Sequence, residues 1–194
     1  MELPYKIILA SNSPRRRELL AGLGIDFTVK VIGGIDESWP HELKGEDISL
    51  YISREKAAPY KASIAADELV ITADTIVYVD GEVLGKPADK ADAVRMLRLL
   101  SGRWHEVITG VTLMTAEKEH SFAVTTKVKF CNLTDDEINS YVESGLPMDK
   151  AGAYGIQEWI GYVGVEAIEG SYFNVVGLPV QRLYRELIIF CKNK

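Results

Sequence analysis

The sequence predicts an α/β fold built on a curved sheet, and three observations carry that prediction. Runs of β-branched and apolar residues such as "KIILA" and "LVITADTIVYV" alternate with stretches whose apolar residues recur at helical spacing. The punctuation between them, Ser13-Pro14, Asp80-Gly81 and Thr134 with Glu137, has the chemistry of helix starts and tight turns. No internal repeat, low-complexity tract or long linker interrupts the 194 residues, so residues 1–194 read as one domain.

Each element follows from its local chemistry. "KIILA", from Lys6, is a short buried strand, and Ser13-Pro14 supplies an N-cap and a first-turn proline for a helix that stops near Gly22 or Gly24. A second strand covers Phe27 to Val31, and the glycines and Pro40 of "GGIDESWPHELKGED" keep the next segment irregular. A helix from Asp47 is kinked or ended by Pro59. Strand material lies on either side of Asp74, which the pattern places at an interruption, and a turn follows at Asp80-Gly81. Ala93, Leu97 and Leu100 share one face of a helix over Lys90 to Leu100. Two strand-like runs between Glu106 and Lys129 flank "AEKEH", and Thr134 with Glu137 forms a capping box. The last third is dense in glycine, which permits sharp turns and close approach to a ligand, and Val180 to Phe190 reads as an amphipathic helix.

Composition narrows the function classes. A hydrophobic content of 47% suffices for a packed core. With 22 Lys+Arg against 28 Asp+Glu the net charge is -6, which argues against a general electrostatic grip on nucleic acid or an anionic membrane. Cys131 and Cys191 are far apart and form no ligand-spaced pair, so buried thiols in a reducing, cytoplasmic compartment are expected. "IILA" is too short for the apolar stretch of a signal peptide, and no segment is long enough to span a bilayer.

Positive charge is concentrated at "SNSPRRREL", directly after the first strand. A strand, a loop and a helix start present free N–H groups and the positive end of a dipole, which together attract an anion. Arg15 and Arg16 would add bidentate phosphate ligands; the competing reading is a solvated face. Cations at a helix N-terminus oppose the dipole, which weakens that second reading.

Asp74 is open to two readings, a structural carboxylate bonding turn amides or a catalytic one. Glu37 is either a solvated loop charge or its partner in holding a hard divalent cation. Lys86, between a glycine and a proline, is a turn lysine exposed to water or a point charge for phosphate, and Lys56 falls mid-helix, where a surface ion pair is the ordinary role. "DGEVLGKPAD" is not a P-loop, because Gly81 and Gly85 enclose three residues and Lys86 meets Pro87. His41, His105 and His120 lack metal spacing, and neither GxSxG nor GxGxxG occurs.

"ILASNSPRRRELL", "REKA", "ADTIV", "GKP", "MLRLLSG", "DKAGAYGIQ" and "VVGLP" occur together in this order. The chain thereby resembles the Maf family of nucleoside triphosphate pyrophosphatases from about Lys6 to Arg182, and "AGAYGIQ" resembles the branch that hydrolyses dTTP and UTP. The resemblance implies a Maf/ITPase-like α/β fold, with a curved mixed sheet and helices forming two lobes around a central cleft. It also implies a homodimer and cleavage of the α-β phosphoanhydride with a divalent cation, Mg²⁺ or Mn²⁺. Asp74 corresponds by position to the family's general base, and Arg16, Thr75 and Gln157 to its pyrimidine-selecting positions. Ser11, Arg15, Glu37, Lys56 and Lys86 correspond to positions assigned to phosphate or metal binding, with Glu37 and Asp74 as the metal's carboxylates. After Gln157 the family often continues with glycine, whereas here Glu158 and Trp159 follow.

Two other function classes remain in view. One is a nucleotide-binding regulator of cell division with little turnover, against which the presence of both Asp74 and Glu37 weighs. The other is a single-stranded nucleic-acid module stacking bases on Tyr154 and Trp159, against which the net charge weighs.

Overall fold

The computed structural model describes residues 3–192. In chain order the elements are β1 (Lys6–Leu9), α1 (Pro14–Ala21), β2 (Phe27–Val29), α2 (Glu46–Ala57), a 3-10 turn (Ala58–Ala62), β3 (Glu68–Val79) and β4 (Glu82–Leu84). Then come α3 (Lys90–Leu100), β5 (Trp104–Met114), β6 (Glu119–Phe130), α4 (Asp135–Glu143), 3-10 turns at Leu146–Asp149 and Ala151–Ala153, α5 (Trp159–Gly164), β7 (Val165–Glu169), α6 (Tyr172–Val176) and α7 (Val180–Lys192). Seven strands form one mixed sheet in the order β2-β1-β3-β5-β6-β7, with β4 paired to β3. β1 is parallel to both β2 and β3, in the register Ile8 with Thr28 and Ile8 with Val70. The chain therefore has the α/β class that its alternating patterns predict.

Local chemistry explains where the elements begin and end. Ser13 caps α1 with Pro14 at its first position, and Gly22 closes it. Pro59 lies two residues past the end of α2, at the second position of the 3-10 turn that continues it. Asp80 and Gly81, at φ of +50° and +88°, join β3 to β4 with Val79 opposite Glu82, the backbone of a type I′ hairpin. Asp89 caps α3, whose Ala93, Leu97 and Leu100 are buried as the periodicity predicts. Thr134 and Glu137 exchange the two hydrogen bonds of a capping box at α4.

By packing, the chain divides into two compact units. The first comprises the residues up to Asp74, Thr109–Val124 and the segment from Gly177 onward. Both faces of its sheet are covered, which is why β1 is apolar at successive positions rather than alternating. Ile7 and Leu9 pack with Leu20 of α1 and Leu183 and Leu187 of α7, while Ile8 packs with Ala57, Tyr60, Val70 and Met114. The second unit, Thr75–Ile108 with Thr125–Val176, has a core of Val77, Val79, Leu97, Leu100, Phe130, Tyr141, Tyr154 and Ile160.

Two expectations are corrected. β3 runs unbroken through Asp74, which is paired and so does not interrupt the strand. The glycine-dense segment also contains α5, β7 and α6, short elements that the sequence reading did not assign. Both cysteines are free thiols as expected, but they are half-buried rather than buried.

Candidate active site

The chain leaves the sheet after Leu9 and turns into α1. Ser11 is buried, and its hydroxyl oxygen accepts the Ser13 N–H at 3.2 Å; the Ser13 hydroxyl in turn accepts the Arg16 N–H at 3.4 Å. No acidic residue occupies the first turn of α1. Of the three arginines, Arg15 is half-buried in the first turn of α1, and the other two divide their work. Arg17 is exposed and donates to Asn12 O at 2.8 Å, tying down the turn. Arg16 is half-buried and donates from Nε to Gly177 O at 2.9 Å and from a terminal nitrogen to Ala73 O at 2.8 Å. Burial holds its guanidinium below the usual arginine range, with the Asp74 carboxylate opposing that shift. Two of its five donors are thereby fixed, and the fork is held in one plane beside the strand that carries Asp74.

Asp74 is 8% exposed, and its Oδ1 accepts a hydrogen bond from Lys56 Nζ at 2.7 Å. The same ammonium lies 3.1 Å from Glu37 Oε1, so two carboxylates converge on one cation. Lys56 therefore has a partly buried, doubly paired role rather than that of an ordinary surface lysine. Glu37 sits in the irregular loop, exposed, beside Asp36, whose carboxylate accepts both the N–H and the hydroxyl of Ser38.

The placement of Lys56 depends on how α2 seats on the sheet, through residues that pattern reading did not single out. Thr72 donates to Ser53 O at 2.6 Å, and the hydroxyls of Ser53 and Thr112 are 2.9 Å apart, all three residues being fully buried. At Gly110 a Cβ would lie 2.3 Å from Ser49 O, so only glycine admits the helix backbone at this distance. The available signal was polar β-branched residues, Thr72 and Thr112, inside otherwise apolar strands.

Thr75, Lys86 and Gln157 belong to the second unit. Thr75 follows Asp74 in β3, so its side chain leaves the strand on the opposite face. Lys86 is exposed in the loop after β4, and Gly85 O of that loop accepts the Gly152 N–H at 3.0 Å, linking the Lys86 loop to the segment that leads to Gln157. Gly152, at φ +68°, approaches Val77 so closely that a Cβ would sit 2.8 Å from its Cγ2. Gln157 is half-buried. Tyr154 is buried at 5% exposure and cannot stack a base, although Trp159 is exposed. His105 bonds through Nε2 to the Tyr154 hydroxyl at 2.8 Å, and burial pushes its pKa down to about 4, so the ring is neutral. A further concavity of about 580 Å³ in this unit, lined by Tyr78, Trp104, Glu106, Lys127 and Glu169, contains none of the predicted site residues.

As a metal-holding set, Glu37 and Asp74 offer two hard oxygen donors rather than a closed cage. Among the described residues no group of three or more His, Cys, Asp or Glu converges. That donor chemistry fits Mg²⁺ or Mn²⁺, which take one or two carboxylates and complete their shell with water and substrate phosphate. It does not fit a structural zinc.

The family described as "Maf-like protein" matches residues 6–190 of the chain. A Bacteroides fragilis relative named "dTTP/UTP pyrophosphatase" is 61% identical over 183 residues, spanning 94% of this chain and 95% of its own. One of the same name from Phocaeicola vulgatus is also 61% identical with the same coverage, and one from Porphyromonas gingivalis is 51% identical over 185 residues, spanning 94% of this chain and 93% of its own. Among solved structures, a HAM1 protein from Coxiella burnetii covers 95% of this chain and 98% of its own at a TM-score of 0.49 and 15% identity, a likeness too distant to bear on the site.

Proposed function

The chain belongs to the Maf family, and from that premise we infer that it is a pyrophosphatase that hydrolyses dTTP and UTP to the nucleoside monophosphate and pyrophosphate. The single observation that supports this site assignment best is the buried Asp74 carboxylate, paired at 2.7 Å with Lys56 and following directly on Ala73, whose carbonyl anchors Arg16. An acid or base must be presented by a rigid element, and a strand with both neighbours paired is such an element.

In this reading Asp74 takes a proton from a water whose oxygen attacks the α-phosphorus. The bond from that phosphorus to the α-β bridging oxygen breaks, and pyrophosphate departs with the electron pair. Ser11, Arg15 and Arg16 meet phosphate oxygens, where preformed donors lower the barrier without reorganising. Lys56, 2.7 Å from Oδ1, holds the Asp74 carboxylate in place, and Lys86 answers charge on the leaving pyrophosphate. A divalent ion held by Glu37 and Asp74 would supply charge neutralisation at the phosphates. Thr75 and Gln157 offer a hydroxyl and an amide suited to the carbonyl and imide edge of a pyrimidine.

The proposal includes a cytoplasmic homodimer without a nucleic-acid or membrane partner. The net charge of -6 supports the absence of a polyanion partner, and among the described residues no helix is long and apolar enough to cross a membrane. Dimerisation rests on the family resemblance alone. Pyrophosphate release from a panel of standard and modified triphosphates, with Mg²⁺ and with Mn²⁺, tests the reaction and its selectivity together. Hydrolysis of dTTP and UTP well above purine triphosphates is expected; binding without turnover would favour the regulator instead.

A further inference from the structure

We propose that Tyr141, Glu158 and Lys150 form a brace that positions Gln157, so that residues off the substrate set the nucleobase preference through it. The inference rests on the reading of Gln157 as a base-contacting residue.

Lys150 is 7% exposed, and its Nζ lies 2.8 Å from Glu158 Oε1, 2.6 Å from Asp149 Oδ1 and 2.5 Å from Leu146 O. The other oxygen of Glu158 accepts the Tyr141 hydroxyl, and that hydroxyl oxygen accepts the Gly155 N–H at 3.1 Å. One carboxylate thus closes the segment from Lys150 to Glu158 on itself and pins its middle to α4. Burial, reinforced by Glu158, holds the Tyr141 hydroxyl well above its ordinary ionisation range, so it remains a donor.

The segment needs such restraint. Gly152 and Ala153 both have positive φ, +68° and +58°, and a buried alanine in that region is strained unless its surroundings over-determine it. Gly155 ties the brace to Gln157: a Cβ there would lie 2.8 Å from Glu158 Cδ, 2.9 Å from Lys150 Cε and 3.1 Å from Gln157 Nε2. The two charged side chains and the Gln157 amide therefore crowd one point of backbone. The Gln157 side chain has no hydrogen bond among the described residues, so the backbone of the braced loop is what fixes where that side chain is attached. A buried ion pair is a costly way to hold a loop when apolar packing would serve, and fixing one geometry is its best-attested use.

The test is a double-mutant cycle on selectivity, the ratio of kcat/KM for dTTP to that for dATP, with folding checked by thermal melting. Tyr141→Phe keeps the ring and removes the hydroxyl; it should lower the ratio about tenfold, mainly through the KM for dTTP. In a Gln157→Ala background the same substitution should leave the ratio unchanged, since its effect passes through Gln157. A purely structural role would give equal losses in both backgrounds, and that result, or an unmoved ratio in folded Tyr141→Phe, overturns the brace. If Tyr141→Phe does not fold, Glu158→Gln, which keeps shape and loses the charge facing Lys150, is carried through the same two backgrounds with the same outcomes. A wild-type protein releasing no pyrophosphate from dTTP or UTP would instead overturn the activity on which the brace depends.

Discussion

A carboxylate on a central strand needs a partner, because burying an unpaired charge costs several kcal/mol. Lys56 is that partner, and it also reaches Glu37, so one ammonium screens two acids. Two substitutions separate the roles. Asp74→Asn keeps the shape and removes the base; turnover of dTTP should fall roughly 10²- to 10⁴-fold with KM changed only a few-fold, measured by pyrophosphate release. Wild-type turnover in that variant would remove Asp74 from the chemistry. Lys56→Gln leaves two carboxylates facing one another without their shared cation, so the protein without nucleotide should gain affinity for Mg²⁺ while losing turnover. A larger Mg²⁺-dependent rise in melting temperature than in wild type would register this; an equal or smaller rise would contradict it. At this scale the sequence exposed the candidates but not their pairing. Asp74 stood out as a charge among apolar residues, yet Lys56 is 18 positions away in the chain and only the docking of α2 brings them to 2.7 Å.

That docking is a property of elements. α2 lies so close to β5 that Gly110 has no room for a methyl group, and the contact is backbone, which cannot swing aside. Gly110→Ala should cost about 1–3 kcal/mol in urea unfolding and should reduce turnover as well, because Lys56 is carried on the displaced helix. Thr134→Ala provides the contrast: losing the cap of α4 should cost about 1 kcal/mol and leave turnover unchanged. A Gly110→Ala enzyme with normal turnover would show that the seat of α2 does not matter to the chemistry. Elements with strong punctuation, such as α3 between Asp89 and Ser101, were readable from spacing and caps. α5, β7 and α6 were not, since each has five or six residues, too few for periodicity to register, and glycines at 161, 164 and 170 mimic loop composition.

At the scale of the molecule, the two compact units are discontinuous in sequence. The chain passes between them at Asp74–Thr75, Ile108–Thr109, Val124–Thr125 and Val176–Gly177, three of these inside strands, so no linker or shift in composition marks a boundary. What the sequence does reveal at this scale is an acidic, cysteine-poor chain, and what it hides is a buried titratable group that makes the fold sensitive to pH. His105 is 2% exposed, its Nδ1 has no hydrogen-bond partner among the described residues, and its ring packs edge-on against Phe130 and Tyr154. Its folded pKa of about 4 lies below the ordinary 6.5, so the unfolded chain binds the proton more readily. The stability is therefore fully present above pH 6.5 and lost progressively as pH falls toward 4. Between pH 7.5 and pH 5 the loss should be roughly 2 kcal/mol. The carboxylates held below their usual range by hydrogen bonds, Asp36, Asp92, Glu137 and Glu186, have ordinary values of 3.8 to 4.5 and release their contribution only in more acidic solution. Urea unfolding across that window, in wild type and in His105→Phe, isolates the contribution of this imidazole: the variant should begin less stable at neutral pH, having lost the bond to Tyr154, and should show a flattened slope. An identical slope in both proteins would mean that the protonation driving the loss lies elsewhere in the chain.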